Sequence, residues 1–269
     1  MVAFLFWNIR KRPVQRAIAN LSKTLGVDVL LLAECEINPA ILLSELNCEK
    51  AQYHYAPGVS ERIQFYSRYD ASHVSPSYDE ASERITIRHL KPPGLTDILL
   101  AACHLPSKAA NWDEDSLALM CPGWASAIRD KEKDVGHSRT ILVGDFNMNP
   151  FESGVIGATA FHAVMSRAIA QRKTRRIQSE DYPFFYNPMW SLFGDATPGP
   201  PGTYYWNGST STEYFWHILD QVLIRPELLD RFKNDDLRII ESDGTKSLLS
   251  SSGLPTESDH LPIFFKLRL

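Results

Sequence analysis

Long apolar runs are missing from this sequence. No stretch approaches the roughly 20 residues that a bilayer-spanning helix requires, so a helical span is excluded and no membrane association is expected. The apolar opening, Met1-Val2-Ala3-Phe4-Leu5-Phe6, is too short for a secretory signal, lacks a basic leader and runs straight into Asn8-Ile9-Arg10. Cysteine is scarce. The four present (Cys35, Cys48, Cys103 and Cys121) show no CxxC spacing, which removes paired-thiol metal and redox motifs. Cys35 and Cys103 lie in or beside apolar runs, where reduced cysteine acts as a small hydrophobe, so the expected compartment is the reducing cytoplasm. Positive charge is not in excess either. With 28 Lys and Arg against 32 Asp and Glu, the formal charge is -4, unlike the strongly basic balance of a bulk nucleic-acid coat protein. An enzyme that meets phosphate through a divalent ion needs no such excess, because the ion brings its own charge.

What is present is enough apolar material, 44% of 269 residues, for a large core without a metal or disulfide to hold it. Residues 2–9 alternate as a strand. Val14, Ala17, Ile18, Leu21 and Leu25 recur at helical spacing up to Gly26, a natural stop. Residues 27–33, apolar except for Asp28, read as a strand covered on both faces, ending at Glu34. A short helix is expected at Pro39–Leu46, and further strands at Ile63–Ser67, 84–89, 97–104, 140–144, 217–224 and 261–267. Between these fall a helix broken near Pro122 and a longer helix over 153–172. Strands and helices alternate unevenly, which predicts an α/β (α+β) chain of mixed sheets faced by helices, not a doubly wound parallel sheet. Residues 197–202, Thr-Pro-Gly-Pro-Pro-Gly, are the sole low-complexity patch, so the chain reads as one domain, 1–269, with a substrate-specificity insertion around 162–216.

Polar residues recur at one station, the end of an apolar strand: Asn8, Glu34, His104, Asp145 with Asn147, and Asp259-His260. Singly, each is an ordinary turn former or cap. Strands that share an edge bring their ends together, so five such coincidences point to a site. Mg²⁺ or Mn²⁺ needs only one or two carboxylates plus water and substrate phosphate. Glu34 is the leading metal ligand, with Asn8 and Asp259 contributing directly or through water. Asp145 and Asn147 are suited to align a nucleophilic water or hold the phosphate. His260 is the proton carrier, and Asp220, a lone acid in an apolar strand that is costly to bury unpaired, is its orienting partner.

Gly144-Asp145-Phe146-Asn147 together with Ser258-Asp259-His260, in an order beginning at Trp7-Asn8, resembles the endonuclease/exonuclease/phosphatase superfamily, the DNase I-like metal-dependent phosphoesterases. The resemblance covers most of the chain. It implies a four-layer αββα sandwich, with an active site at one edge of two packed sheets and a Mg²⁺ or Mn²⁺ cofactor. The segment Ser60-Glu61-Arg62-Ile63-Gln64-Phe65-Tyr66 is similar to one in secreted-type DNases, which would make Glu61 the partner of His104 and Arg84 a phosphate contact. Trp216-His217-Ile218-Leu219-Asp220 is similar to the approach to the catalytic aspartate in AP endonucleases. His104 departs from that branch, and the inositol-phosphate 5-phosphatase signature is absent.

For substrate, the run Arg167, Arg172, Lys173, Arg175 and Arg176 is expected at a helix end. Five positive charges exceed what a helix macrodipole favours, which makes Arg172, Arg175 and Arg176 candidates for backbone steering. Lys108, just past His104, is a further candidate phosphate contact. The aromatics that follow, from Tyr182 to Trp216, suit gripping unstacked bases. The leading expectation is a nuclease acting on DNA or RNA by in-line water attack with two Asp/Glu-His pairs. The alternatives are a phosphatase or phosphodiesterase for a small molecule or lipid headgroup, and an inactive binding module. No obligate protein partner is inferred.

Overall fold

The alternation at the amino terminus becomes a strand, Val2–Asn8, buried along its whole length because each face meets a different core. Phe4 and Phe6 enter one core; Leu5 and Trp7 enter another. The computed structural model describes residues 1–49, 52–60, 62–78, 84–108, 112–209 and 211–269.

Two large mixed sheets form. From edge to edge the first runs Arg238–Ile239, Ile263–Leu267, Val2–Asn8, Val29–Ala33, Ile63–Ser67 and His54–Ala56. The second runs Val74–Tyr78, Ile85–Leu90, Ile98–His104, Thr140–Asp145, Asp220–Ile224, Phe185–Tyr186 and Ala163–Val164. Val2–Asn8 pairs in parallel with Val29–Ala33, and Ile98–His104 with Thr140–Asp145, while most other neighbours are antiparallel. The facing sides of the sheets share one core that includes Phe4, Leu31, Leu100, Val143, Val222 and Phe265.

Helices cover both outer faces. Gln15–Leu25 stops at Gly26, whose left-handed backbone (φ 62°) suits glycine; it lays Ile18 and Leu21 on the first sheet beside Leu42 of Pro39–Leu46. Glu114–Val135 covers the second sheet with Leu117, Cys121, Trp124 and Ile128. The layers therefore run helix, sheet, sheet, helix, as expected. Among the described residues, no helix is long and apolar enough to cross a membrane.

Two expectations about helices fail. Pro122 does not break its helix, which runs 22 residues straight through it. A mid-helix proline costs about 3 kcal/mol, and here the long apolar face packed on the sheet offsets that cost. The helix expected over 153–172 is instead two four-residue pieces, Ser153–Ile156 and Arg167–Ala170, with the strand Ala163–Val164 between them. The Gly157 N–H turns back to the Ser153 carbonyl and His162 takes a positive φ of 50°, so the chain reverses before a second turn can form.

Candidate active site

The register of three neighbouring strands builds one row of the site. His104 lies opposite Asp145, and Asp145 lies opposite Asp220. Gly144 makes this alignment possible: a Cβ there would stand 2.0 Å from the Cys103 carbonyl oxygen, so only glycine lets the strands lie this close. The first sheet supplies a second row from the ends of its parallel pair, where Asn8 lies opposite Ala33, immediately before Glu34. Glu34 takes a positive φ of 47°, an uncommon backbone state for such a residue that recurs at functional sites.

Asn8 joins the rows. Its Nδ2 donates to Asp145 Oδ2 at 3.0 Å and to Glu34 Oε1 at 3.3 Å, while its Oδ1 accepts from the Arg10 N–H at 3.0 Å. His104 Nε2 lies 3.4 Å from Glu34 Oε1 and 3.9 Å from Asp145 Oδ2. The His104 contact holds the Glu34 carboxyl down at about 2, against burial that would raise it, with Asn8 assisting.

His260 is held from three directions. Its carbonyl accepts from Trp7 Nε1 at 2.8 Å, its backbone N–H reaches Ser258 Oγ at 3.2 Å, and its Nδ1 meets Asp220 Oδ2 at 2.8 Å. That leaves Nε2 facing Asp145 Oδ2 across 4.0 Å. Burial opposes charge on the imidazole, but the carboxylates of Asp220, Asp145 and Asp259 outweigh it and raise its pKa to about 9. That shift favours the protonated ring, the form that can donate from Nε2.

The remaining expected residues divide. Asn147, at a positive φ of 51° that asparagine tolerates, donates its backbone N–H to Asp145 Oδ1 and its side-chain amide to the Leu105 carbonyl. Asp259 is pinned by Arg10 at 2.9 Å. The Arg84 carbonyl accepts the His104 N–H; its guanidinium pKa is lowered by burial and by nearby Arg62. Lys108 is tied to the buried carboxylate of Glu152. Glu61 lies outside the described residues.

Arg172, Arg175 and Arg176 are not brought to the site. The last two lie on an exposed hairpin, Thr174–Ile177 with Glu180–Pro183. Arg225 donates to the Pro183 and Phe184 carbonyls and so fixes the hairpin's base. Arg225 follows the strand Asp220–Ile224, five residues and roughly 16 Å beyond Asp220 at the usual strand rise, at the end of the sheet opposite the site. Arg167 is no steering charge either: its guanidinium bonds the Leu229 and Phe232 carbonyls and Asn234.

Several contributors had no sequence signal of their own. Arg10 fixes Asp259, and Thr203 Oγ1 accepts the backbone N–H groups of Leu219 and Asp220, both at 3.1 Å. The Tyr204 ring lies 4.7 Å from that of His260. Asn149 bonds the Ile218 N–H, Glu152 and His217. Proximity to the Asn8, Asn147 and Asp220 motifs was the available hint.

Four carboxylates (Glu34, Asp145, Asp220 and Asp259) thus converge on two histidines and Arg10. Such a site repels a phosphate anion unless a cation joins it. Glu34 Oε1 is engaged by Asn8 and His104, while Oε2 takes no hydrogen bond among the described residues. An open carboxylate oxygen of this kind suits a hard divalent ion that keeps several waters. Asp145, Asp220 and His260 also form a compact group that could ligate a metal, with His260 Nδ1 paired to Asp220 Oδ2.

Residues 5–260 match a sequence model of the Endonuclease/Exonuclease/phosphatase family. The chain belongs to that family. Members of the endonuclease/exonuclease/phosphatase family are divalent-metal-dependent phosphoester hydrolases, and many are nucleases. No curated protein matches the chain. Solved structures share its fold at low identity. One is a family protein from Leptotrichia buccalis C-1013-b, with TM-score 0.58 and 14% identity over all of both chains. Another is D. rerio TDP2 complexed with single strand DNA product, with TM-score 0.58 and 14% identity over 100% of this chain and 99% of that one. A third is the endonuclease domain of TRAS1, a telomere-specific non-LTR retrotransposon, with TM-score 0.55 and 13% identity over 100% and 99%.

Proposed function

We propose that the chain is a Mg²⁺- or Mn²⁺-dependent phosphodiester hydrolase acting on nucleic acid. The observation that carries this reading is the 4.0 Å gap between His260 Nε2 and Asp145 Oδ2, with His260 locked by Asp220 and Asp145 locked by Asn8. The gap holds an acid and an acceptor in fixed positions to face a reacting phosphate and its attacking water. Asp145, helped by Asn147, aligns a water and accepts its proton as the water oxygen bonds to phosphorus. His260 donates a hydrogen bond to a phosphoryl oxygen as negative charge builds there. The bond from phosphorus to the leaving oxygen breaks, and that oxygen takes a proton from His104, with Glu61 as that histidine's further partner. Glu34 would hold the divalent ion, with Asp259 and Asn8 supporting it directly or through water; when bound, the ion neutralises phosphate charge. Arg84 and Lys108 are the proposed phosphate contacts. TDP2 with its single strand DNA product and the TRAS1 endonuclease, both built on this fold, support nucleic acid as the substrate class.

A second reading, a small phosphodiester or lipid headgroup as substrate, is favoured by the position of Arg175 and Arg176 away from the site. One assay decides between them. The chain is incubated with supercoiled plasmid, single-stranded DNA, RNA and bis(p-nitrophenyl) phosphate, with Mg²⁺, Mn²⁺ or EDTA. Metal-dependent cleavage of nucleic acid, reduced about 10²–10³-fold in His260→Ala, is expected. Turnover of the small ester alone would favour the second reading, and no turnover with any metal would overturn both.

A further inference from the structure

Large exposed aromatic side chains are concentrated in one place. Among the described residues, the exposed large hydrophobics that are aromatic are Trp206 (53% exposed), Tyr214 (54%) and Phe215 (47%). All three belong to the ten residues 206–215 that join two short paired strands, Tyr204–Tyr205 and Trp216–His217.

The base of this hairpin is part of the site. Tyr204 forms a bridge with His260, the Leu261 N–H reaches the Thr203 carbonyl at 2.7 Å, and Thr203 holds the Asp220 backbone. Its tip is built, not merely extruded. The Trp206 N–H meets the Phe215 carbonyl at 2.8 Å. Glu213 Oε1 accepts the N–H groups of Tyr214 and Phe215 and faces His217 Nε2 at 3.2 Å. Phe215 takes a φ of 62°, a left-handed state that a bulky residue adopts at a cost in strain. The ring of Tyr214 continues inward to Phe151 at 5.6 Å, and Phe151 stacks on Phe193 at 6.0 Å. Beside Phe151 in the chain, Glu152 holds the Lys108 ammonium, which stays partly exposed. Tyr214, Phe151 and Phe193 thus form a run of rings in contact, with Lys108 held by the residue that follows Phe151.

Ring faces left in water at this density suit one class of occupant continuous with a phosphodiester site. Unpaired nucleotides offer bare base faces to stack on and a backbone charge for Lys108 to meet, whereas a duplex keeps its base faces within its own stack. We propose that Trp206, Tyr214 and Phe215 form a stacking ledge that selects single-stranded nucleic acid, or a single-stranded overhang, as substrate. This rests on the phosphodiester hydrolase reading and names its substrate class.

The test is binding by the full chain carrying His260→Ala, in Mg²⁺, so that turnover plays no part. Fluorescence anisotropy is read for a labelled 20-nucleotide single strand and for the same strand in duplex. Tighter binding of the single strand is expected. Adding Trp206→Ala or Phe215→Ala should weaken single-strand binding by about 5- to 150-fold, the range of one lost base stack, with Trp206→Phe restoring most of it. In the wild-type background, the same variants should lower the ratio of single-strand to bis(p-nitrophenyl) phosphate turnover. Unchanged single-strand affinity in both alanine variants would overturn the ledge, as would preferential duplex binding. So would sedimentation showing that these rings instead hold two copies together. Binding that behaves as expected in a chain whose wild type turns over nothing would leave the ledge standing and sink only the catalytic reading.

Discussion

At the scale of single residues, the site depends on groups that do no chemistry. Gly144 is the sharpest case, because its missing side chain lets the strand ending in Asp145 lie against Cys103 and keeps His104 level with Asp145. Gly144→Ala should force these strands apart, costing about 1–3 kcal/mol of stability as overpacking. It should also lower kcat/KM at least 100-fold, since a misplacement on the order of 1 Å suffices for such a loss. Urea denaturation read beside diester turnover checks both; wild-type activity in a destabilised variant would show that the register does not matter. Much at this scale was legible, because Asn8, Glu34, His104, Asp145 and His260 each end or adjoin an apolar run and adjacent strands bring such ends together. What stayed hidden were backbone-directed bonds such as those to Thr203 Oγ1 and from Trp7 Nε1. They leave no periodicity in the sequence, since their partners lie far away along the chain.

At the scale of elements, periodicity succeeded where one face of a segment meets one core. It failed over 153–172, where Val155 and Phe161 are buried but Ile156, Met165 and Ile169 are exposed; the apolar spacing there mimicked a helix that the backbone does not form. The same misreading placed the basic run at a helix end, whereas Arg175 and Arg176 ride a hairpin. What anchors that region is Arg225, fully buried, bonded to Glu132 of the long helix at 2.8 Å and stacked 3.8 Å over the Phe185 ring. Burial presses the Arg225 pKa down while Glu132 supports its charge. Glu132→Ala would leave that charge buried without its carboxylate, so unfolding free energy should fall by about 3–5 kcal/mol. Turnover below the lowered melting temperature should persist, because the pair lies at the far end of the sheet from Asp145. A loss of activity without a loss of stability would contradict this assignment.

At the scale of the whole molecule, the second sheet carries a polar cluster at each end of the same strands, and comparing them separates chemistry from architecture. At the end away from the site, Asp97 Oδ2 lies 2.7 Å from His89 Nε2 and 3.2 Å from His137 Nε2, and Arg139 bonds its other oxygen. Two histidines and an acid invite a metal reading, but the Arg139 N–H donates to His137 Nδ1 at 3.2 Å. A neutral His137 must then carry its proton on Nε2, the atom that would have to ligate, so the cluster acts as a satisfied clamp. At the other end, four acidic residues stand with two histidines and one arginine, a donor set that suits a further cation. The clamp predicts a stability signature of its own. Burial would raise the Asp97 pKa, yet hydrogen bonds from His89, Arg139 and His137 outweigh it and hold the carboxyl well below its usual range. A group depressed in the folded state contributes stability above its unfolded pKa, roughly 3.9, and loses that contribution as pH falls through the folded value. Urea denaturation of wild type and Asp97→Asn at pH 7, 5 and 3 should therefore show a gap of about 1 kcal/mol at pH 7, modest because the carboxylate is one-third exposed. The gap should remain at pH 5 and narrow towards pH 3. A constant gap across that range would mean that the clamp holds through packing, not through the carboxylate's charge.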